Sequence, residues 1–349
     1  MGKYNMPPAG LIALLRNPHG VADITDAQWN DVVEQGRRTQ LLGQLAARLR
    51  QAGVFEQVLP AVQRHLALAE LTSRRRGEAA TWELKGMRRA INPAITVVLL
   101  KGCAYVAAGD VNAAGRLFSD VDLMVRRQDL EAVESSLISV GWKPSRVNDY
   151  DQAYYRNWMH EVPPMEHVRR HTVVDLHHAI NPPVSRFYVN PDKLFNHLVE
   201  VLPGVFVLSP TDRVIHCALH LLQEGEPKKL IRDLFDLYLL VQQHHNTEQG
   251  RVQLRQRARA LGVVQLVDAA LGTALGFFDN PHLATGQYAS WLQHCVSRAA
   301  LGSVGRSSVA NDLASTAVLA HSHWMKMPLR LLVPHLSHKT WLGWFPEKD

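Results

Sequence analysis

Cysteine is scarce in this chain: Cys103, Cys217 and Cys295 are the only three, widely separated and odd in number. They form neither a disulfide framework nor a zinc-binding spacing, so the chain reads as a protein of a reducing compartment, the cytoplasm. Long apolar runs are missing too. No window approaches the roughly 18 uninterrupted apolar residues of a membrane span. The start, Met1-Gly2-Lys3-Tyr4-Asn5-Met6-Pro7-Pro8, meets prolines before any apolar stretch of signal-peptide length. Internal repeats and low-complexity tracts are absent. What remains is an ordinary globular composition, 46% apolar and 20% charged over 349 residues, enough for two or three compact units. The excess of six basic charges is spread thinly, which favours anionic ligands without marking a nucleic-acid surface.

Three regions follow from the pattern. Residues 1–92 read as helical, with Thr25-Asp26 as a cap and Trp29, Val32, Val33, Leu41, Leu42, Leu45 and Leu49 at helical spacing. A long helical stretch over 59–90 carries Arg74, Arg75, Arg76, Lys85, Arg88 and Arg89, which read first as a solvated face. Asn92-Pro93 ends it. Residues 93–205 change period. A strand is expected over 95–100, a short helix over 102–108, a glycine-bearing loop over 109–115, a strand over 120–125 and an amphipathic helix over 128–140. Extended structure follows from Trp142, with paired strands over 165–169 and 172–177. Residues 206–349 return to helix, opened by Ser209-Pro210 as N-cap and first helical residue.

The chemistry sits where these patterns meet. Val97-Val98-Leu99-Leu100 ends in Lys101-Gly102, and Arg116-Leu117-Phe118-Ser119-Asp120-Val121-Asp122-Leu123-Met124-Val125 follows. Residues i and i+2 of a strand share a face, so Asp120 and Asp122 project together, their Cα atoms roughly 6–7 Å apart, while Val121, Leu123 and Val125 enter the core. Val173-Val174-Asp175-Leu176-His177 alternates in the same way and places Asp175 beside His177. Three carboxylates on neighbouring strands repel one another unless a cation lies between them, and a hard divalent ion such as Mg²⁺ suits oxygen ligands. Such a cluster serves two-metal phosphoryl or nucleotidyl transfer, with Asp175 either a metal ligand or the general base. Gly102 at a helix start lets backbone approach a phosphate, and Lys101, Arg116 and Ser119 would neutralise and orient it. His177 either touches substrate or orients Asp175.

Other signals are weaker. His216 and His220 have the i, i+4 spacing of a zinc pair but lack the glutamate of the metalloprotease pattern, and a packed pair is the first reading. Arg232, Asp233 and Asp236 read as internal ion pairing, with base or ribose contact the lesser reading.

The segment 99–125 together with 174–178 resembles the uncharacterised nucleotidyltransferase families of the DNA polymerase β superfamily. The pattern carrying it is Leu100-Lys101-Gly102, then Arg116-x-x-Ser119-Asp120-x-Asp122-Leu123, then Asp175-Leu176-His177. The resemblance implies an α+β fold: a polymerase-β-like core, a mixed sheet with helices on one face, flanked by N- and C-terminal helical segments. It also implies Mg²⁺-dependent transfer of a nucleoside monophosphate from an NTP, ATP first among them, with Asp120, Asp122 and Asp175 as ligands of two Mg²⁺ ions. Lys101-Gly102 stands where the superfamily more often has Gly-Gly or Gly-Ser. The expected acceptor is a hydroxyl of a small molecule or protein, the scattered basic charge disfavouring an RNA 3′ end. A non-catalytic nucleotide- or partner-binding module and a phosphotransferase are the alternatives.

Overall fold

The computed structural model describes residues 10–145, 149–279, 287–305 and 308–344. The proline-bearing start of the chain lies outside them. Four helices precede the sheet: α1 (Leu11–Arg16), α2 (Asp26–Arg38), α3 (Leu42–Gln51) and the long α4 (Pro60–Ala90). The strands are β1 (Val97–Leu99), β2 (Asp120–Met124), β3 (Trp142–Pro144), β4 (Met165–His167), β5 (Val173–His177), β6 (Leu198–Leu202) and β7 (Val205–Leu208). Between them lie α5 (Lys101–Ala108), α6 (Leu130–Ser139), α7 (Asp149–Trp158) and α8 (Asp192–Phe195). The chain then continues through α9 (Pro210–Glu224), α10 (Pro227–His244), α11 (Glu248–Ala260), α12 (Val264–Phe278), α13 (Gln287–Val304), α14 (Val309–Lys326) and α15 (Leu329–Trp344). Among the described residues, no helix is long and apolar enough to cross a membrane.

Local chemistry sets the helix ends. Thr25 and Gln28 close a reciprocal capping box on α2, and the Ser209 hydroxyl accepts from the Asp212 amide ahead of Pro210 in α9. The strand expected over 95–100 is shorter, because the Ile95 amide turns back to the Asn92 carbonyl and Lys101 already begins α5.

The seven strands form one mixed sheet in the order β3-β4-β5-β2-β1-β7-β6. β2 runs parallel to β5 and antiparallel to β1, and β7 runs parallel to β1. Alternation gives the sheet two different faces. Val97, Leu99, Val121, Leu123, Val125, Val174, Leu176, Val205 and Val207 pack with Leu84 and Met87 of α4 and Val133 and Leu137 of α6. The other face carries Asp120, Asp122, Asp175 and His177, and its Val98, Leu100 and Met124 join the large core that the N- and C-terminal helices build. The acids therefore point away from α4 and α6, toward the helical bundle.

Polar clamps fasten that bundle to the sheet. Arg213 of α9 grips both oxygens of Asp110 at 2.8 and 2.9 Å and donates to the Leu208 carbonyl at 2.6 Å, and His244 of α10 reaches Asp110 at 2.9 Å. Backbone contact fixes the loop leading into β2. A methyl group on Gly43 of α3 would collide with the Gly115 carbonyl, and one on Gly115, held at φ 75°, with the Gly43 carbonyl. Neither atom is the end of a flexible side chain, so neither yields cheaply. Gly43→Ala is expected to destabilise the protein by about 1–3 kcal/mol, as overpacking does. Urea unfolding reads this directly, and an unchanged midpoint contradicts the close approach.

Candidate active site

Parallel pairing decides which acids meet. In the β2–β5 register Asp122 stands opposite Asp175, Asp120 opposite Val173 and Met124 opposite His177. Neighbouring strands lie about 4.8 Å apart, whereas i and i+2 of one strand are nearer 6–7 Å. The ligand atoms of Asp122, Asp175 and His177 all lie within 4.8 Å of one another, the longer His177 side chain reaching back across its two-residue step. Asp120 shares their face but lies outside this compact group, half-buried at the start of β2. The tight cluster is two carboxylates and an imidazole, with the third acid one strand step away.

Lys101 and His177 both hold Asp122. The Lys101 ammonium donates to Asp122 Oδ1 at 2.6 Å, and His177 Nε2 lies 3.1 Å from the same oxygen. Burial alone would raise the Asp122 carboxyl, but Lys101 and His177 outweigh it and hold it well below the usual carboxylate range. Lys101 answers in kind. Burial opposes its charge, yet Asp122 and Glu161 hold its ammonium above the ordinary lysine value. Its backbone is strained, with φ 48° in the left-handed region at the first residue of α5. A glycine adopts that conformation freely; a lysine there gives the site a cation aimed at Asp122.

Asp175 has no such partner. Its Oδ1 is buried without a hydrogen bond, and burial together with the charges of Asp122 and Glu161 pushes its carboxyl up to about 7.

Glu161 and His160 belong to this neighbourhood and were not anticipated from sequence. Residues 160–162 run antiparallel beside the end of β5: the Val162 amide donates to the Leu176 carbonyl at 3.0 Å and the His178 amide to the His160 carbonyl at 2.8 Å. That places Glu161 Oε2 3.2 Å from His177 Nδ1 and the His160 ring 5.2 Å from the His177 ring. No spacing in the chain announces it; only the pairing does.

The remaining predicted residues take varied positions. The space a Cβ on Gly102 would need is filled by the Phe118 ring and the Arg116 guanidinium, so the close approach there is to the chain itself. Arg116 is buried, donates from Nε to Asp236 at 2.5 Å and lies over the Tyr105 ring, so its guanidinium is already engaged with α10. Asp236 also accepts from Gln44 of α3 at 2.8 Å. Ser119 is exposed just before β2. Arg232 pairs with Asp233 at 2.7 Å, the internal pairing expected for them. His216 and His220 stack edge to face, 6.3 Å apart, on α9. Burial pushes His216 down to about 3 and His220 well below the usual histidine value, with Lys101 adding to both shifts, so this pair stays neutral on the side of the site facing Lys101.

These residues fit a divalent cation. Two facing carboxylates, one with a buried unpartnered oxygen, and an imidazole converge within bonding reach of a single ion, and such an ion would relieve the penalty that Asp175 bears beside Asp122.

The fit has a pH signature. A carboxyl raised in the folded state favours folding while protonated, so Asp175 costs stability as pH climbs from about 4 to about 7. Relative to wild type, Asp175→Asn is expected to gain stability over that window, and millimolar Mg²⁺ to erase the gain by stabilising wild type. Melting curves across pH test it; a constant difference between the two proteins contradicts the raised carboxyl.

No curated protein and no solved structure matches the chain. The model of a family described as an uncharacterised nucleotidyltransferase matches residues 25–279, from α2 through the sheet to the end of α12. The matched span contains the β2–β5 acids, Lys101 and the helices that close over them. Nucleotidyl transfer from an NTP is the chemistry that membership brings. The chain belongs to this family of uncharacterised nucleotidyltransferases.

Proposed function

We propose that the protein transfers a nucleoside monophosphate from an NTP, with ATP the first donor to test, to a hydroxyl of a small molecule or a protein, using Mg²⁺ held by Asp122, Asp175 and Asp120. The observation that carries this reading is the Asp122–Asp175 pair, in register on adjacent parallel strands, with a buried Asp175 oxygen that has no partner.

The residues divide the work. Asp122, kept ionised by Lys101 and His177, offers its second oxygen as a permanent anionic ligand. Asp120, half-buried and nearer the exposed Ser119, serves the side of the site where the triphosphate lies. Lys101 and the Ser119 hydroxyl neutralise and orient phosphate oxygens, while Arg116 acts through Asp236 to hold the loop that carries Ser119. Gly102 leaves room for Phe118 and Arg116 beneath that loop. When bound, divalent ions neutralise the triphosphate and lower the pKa of the acceptor hydroxyl. The acceptor oxygen forms its new bond to the α-phosphorus as the bond to the β-phosphate oxygen breaks. Pyrophosphate leaves, and the acceptor proton passes to the Asp175 carboxylate oxygen that the ion leaves free. His177 keeps Asp122 oriented throughout.

The test is incubation with each of the four NTPs, Mg²⁺ and a cell extract, followed by intact mass and pyrophosphate measurement. An acceptor heavier by one nucleotide, with stoichiometric pyrophosphate, is expected. Chelation should abolish it, and Asp122→Asn and Asp175→Asn should each lower the rate by about 100-fold or more. Release of nucleoside diphosphate would instead mean phosphoryl transfer, and saturable NTP binding without pyrophosphate a binding module; either outcome overturns the reading.

A further inference from the structure

His160, Glu161 and His177 form a second convergent group. One ligand atom from each lies within 4.8 Å of the other two, and the trio shares only His177 with the carboxylate pair. Its donor set is two imidazoles and a carboxylate, which differs in kind from the oxygen-rich Asp122–Asp175 side.

The orientation of His177 is the second observation. This residue is 1% exposed, and its two nitrogens face different partners. Nε2 lies 3.1 Å from Asp122 Oδ1. Nδ1 points into the other trio, is buried, and makes no hydrogen bond; Glu161 Oε2 is 3.2 Å away but outside hydrogen-bonding geometry. A metal-bound histidine typically donates its other N–H to a carboxylate, which fixes the tautomer and the ring plane. The Asp122 side of His177 supplies that second bond.

Distances agree. Two ligands of a tetrahedral zinc ion, each bound at about 2.0–2.1 Å, lie about 3.3 Å apart. The His177–Glu161 pair is at 3.2 Å already. His160 Nε2 is 4.0 Å from Glu161 Oε2, so reaching the spacing that those bond lengths require from that oxygen takes a shift of about 0.7 Å. Mg²⁺ disfavours such a nitrogen-rich set, whereas zinc and its neighbours favour it.

We propose that His160, Glu161 and His177 bind a borderline transition metal, Zn²⁺ or a close relative, through His177 Nδ1, separately from the Mg²⁺ held by the carboxylates. The ion completes a carboxylate–histidine–metal chain, Asp122 to His177 to metal, and pins the imidazole that orients Asp122. This goes beyond the nucleotidyl-transfer reading and stands without it, since the ligands are argued from their own geometry.

The full chain, stripped with a chelator, is titrated with Zn²⁺ and with Co²⁺ in excess Mg²⁺. One tightly held equivalent of Zn²⁺ that survives gel filtration is expected, with visible Co²⁺ absorption of a low-coordinate site. His160→Ala and Glu161→Ala should each reduce the retained metal from one equivalent to near zero, while Asp175→Asn keeps it. Imidazole ¹⁵N spectra of the unmutated protein should show Zn²⁺ shifting Nδ1 of His177 and a nitrogen of His160, a readout that does not depend on variant folding. Absence of a retained ion, retention by His160→Ala, loss in Asp175→Asn, or unshifted His160 and His177 nitrogens overturns the proposal. NTP binding in Mg²⁺, measured on the same samples, is expected whether or not zinc binds, so a zinc-negative, nucleotide-binding protein sinks this inference alone.

Discussion

Everything at this site depends on keeping two carboxylates side by side in a largely dry place. Asp122 and Asp175 face each other because β2 and β5 run parallel in one particular register, and a slip of either strand by one residue would turn its acid into the apolar layer behind the sheet. The repulsion is managed unequally. Lys101 and His177 both serve Asp122, so it stays ionised, whereas Asp175 bears the penalty and is pushed toward neutrality. That asymmetry separates a fixed anionic ligand from a group able to take a proton. Lys101 reaches its position only through a left-handed backbone, so local strain at the head of α5 helps supply the neutralising charge.

The rest of the molecule keeps this face rigid. The loop before β2 is held from three directions: by the Gly43–Gly115 backbone contact, by the Ser73 hydroxyl donating to the Arg116 carbonyl at 2.7 Å, and by the Arg116–Asp236 pair. Behind α5, Asp110 joins Arg213 and His244. Breaking one partner of such a buried pair strands a charge, at a cost of about 3–5 kcal/mol. Buried ion pairs are poor sources of net stability, but each has one satisfying arrangement, and here they tie helices from both ends of the chain to the strand that carries the acids.

Much of this was legible in the residues. Alternation in Asp120-Val121-Asp122 and in Val174-Asp175-Leu176-His177 marks both strands and their polar face, because a period of two leaves little choice of face. The caps at Thr25 and Ser209 are local chemistry, which the residues themselves announce. What pairing and distance decide was not legible. Asp120 stands apart from the tight cluster because it lies two residues of strand rise, roughly 6–7 Å, from Asp122, a step its short side chain does not span. Glu161 arrives only through the 160–162 segment lying along β5, and Arg116 meets an acid 120 positions later. The β6–β7 hairpin around Gly204, which extends the sheet beyond β1, also went unmarked; its short arms lack the clean alternation that identified β2 and β5.

The most direct test of the account is a crystal structure with Mn²⁺ and a non-hydrolysable NTP analogue, read by anomalous scattering. The account predicts a Mn²⁺ peak at bonding distance from oxygens of both Asp122 and Asp175, with the Lys101 ammonium moved from Asp122 to a phosphate oxygen. Nucleotide bound elsewhere, with no ion between these acids and Lys101 still seated on Asp122, would contradict it.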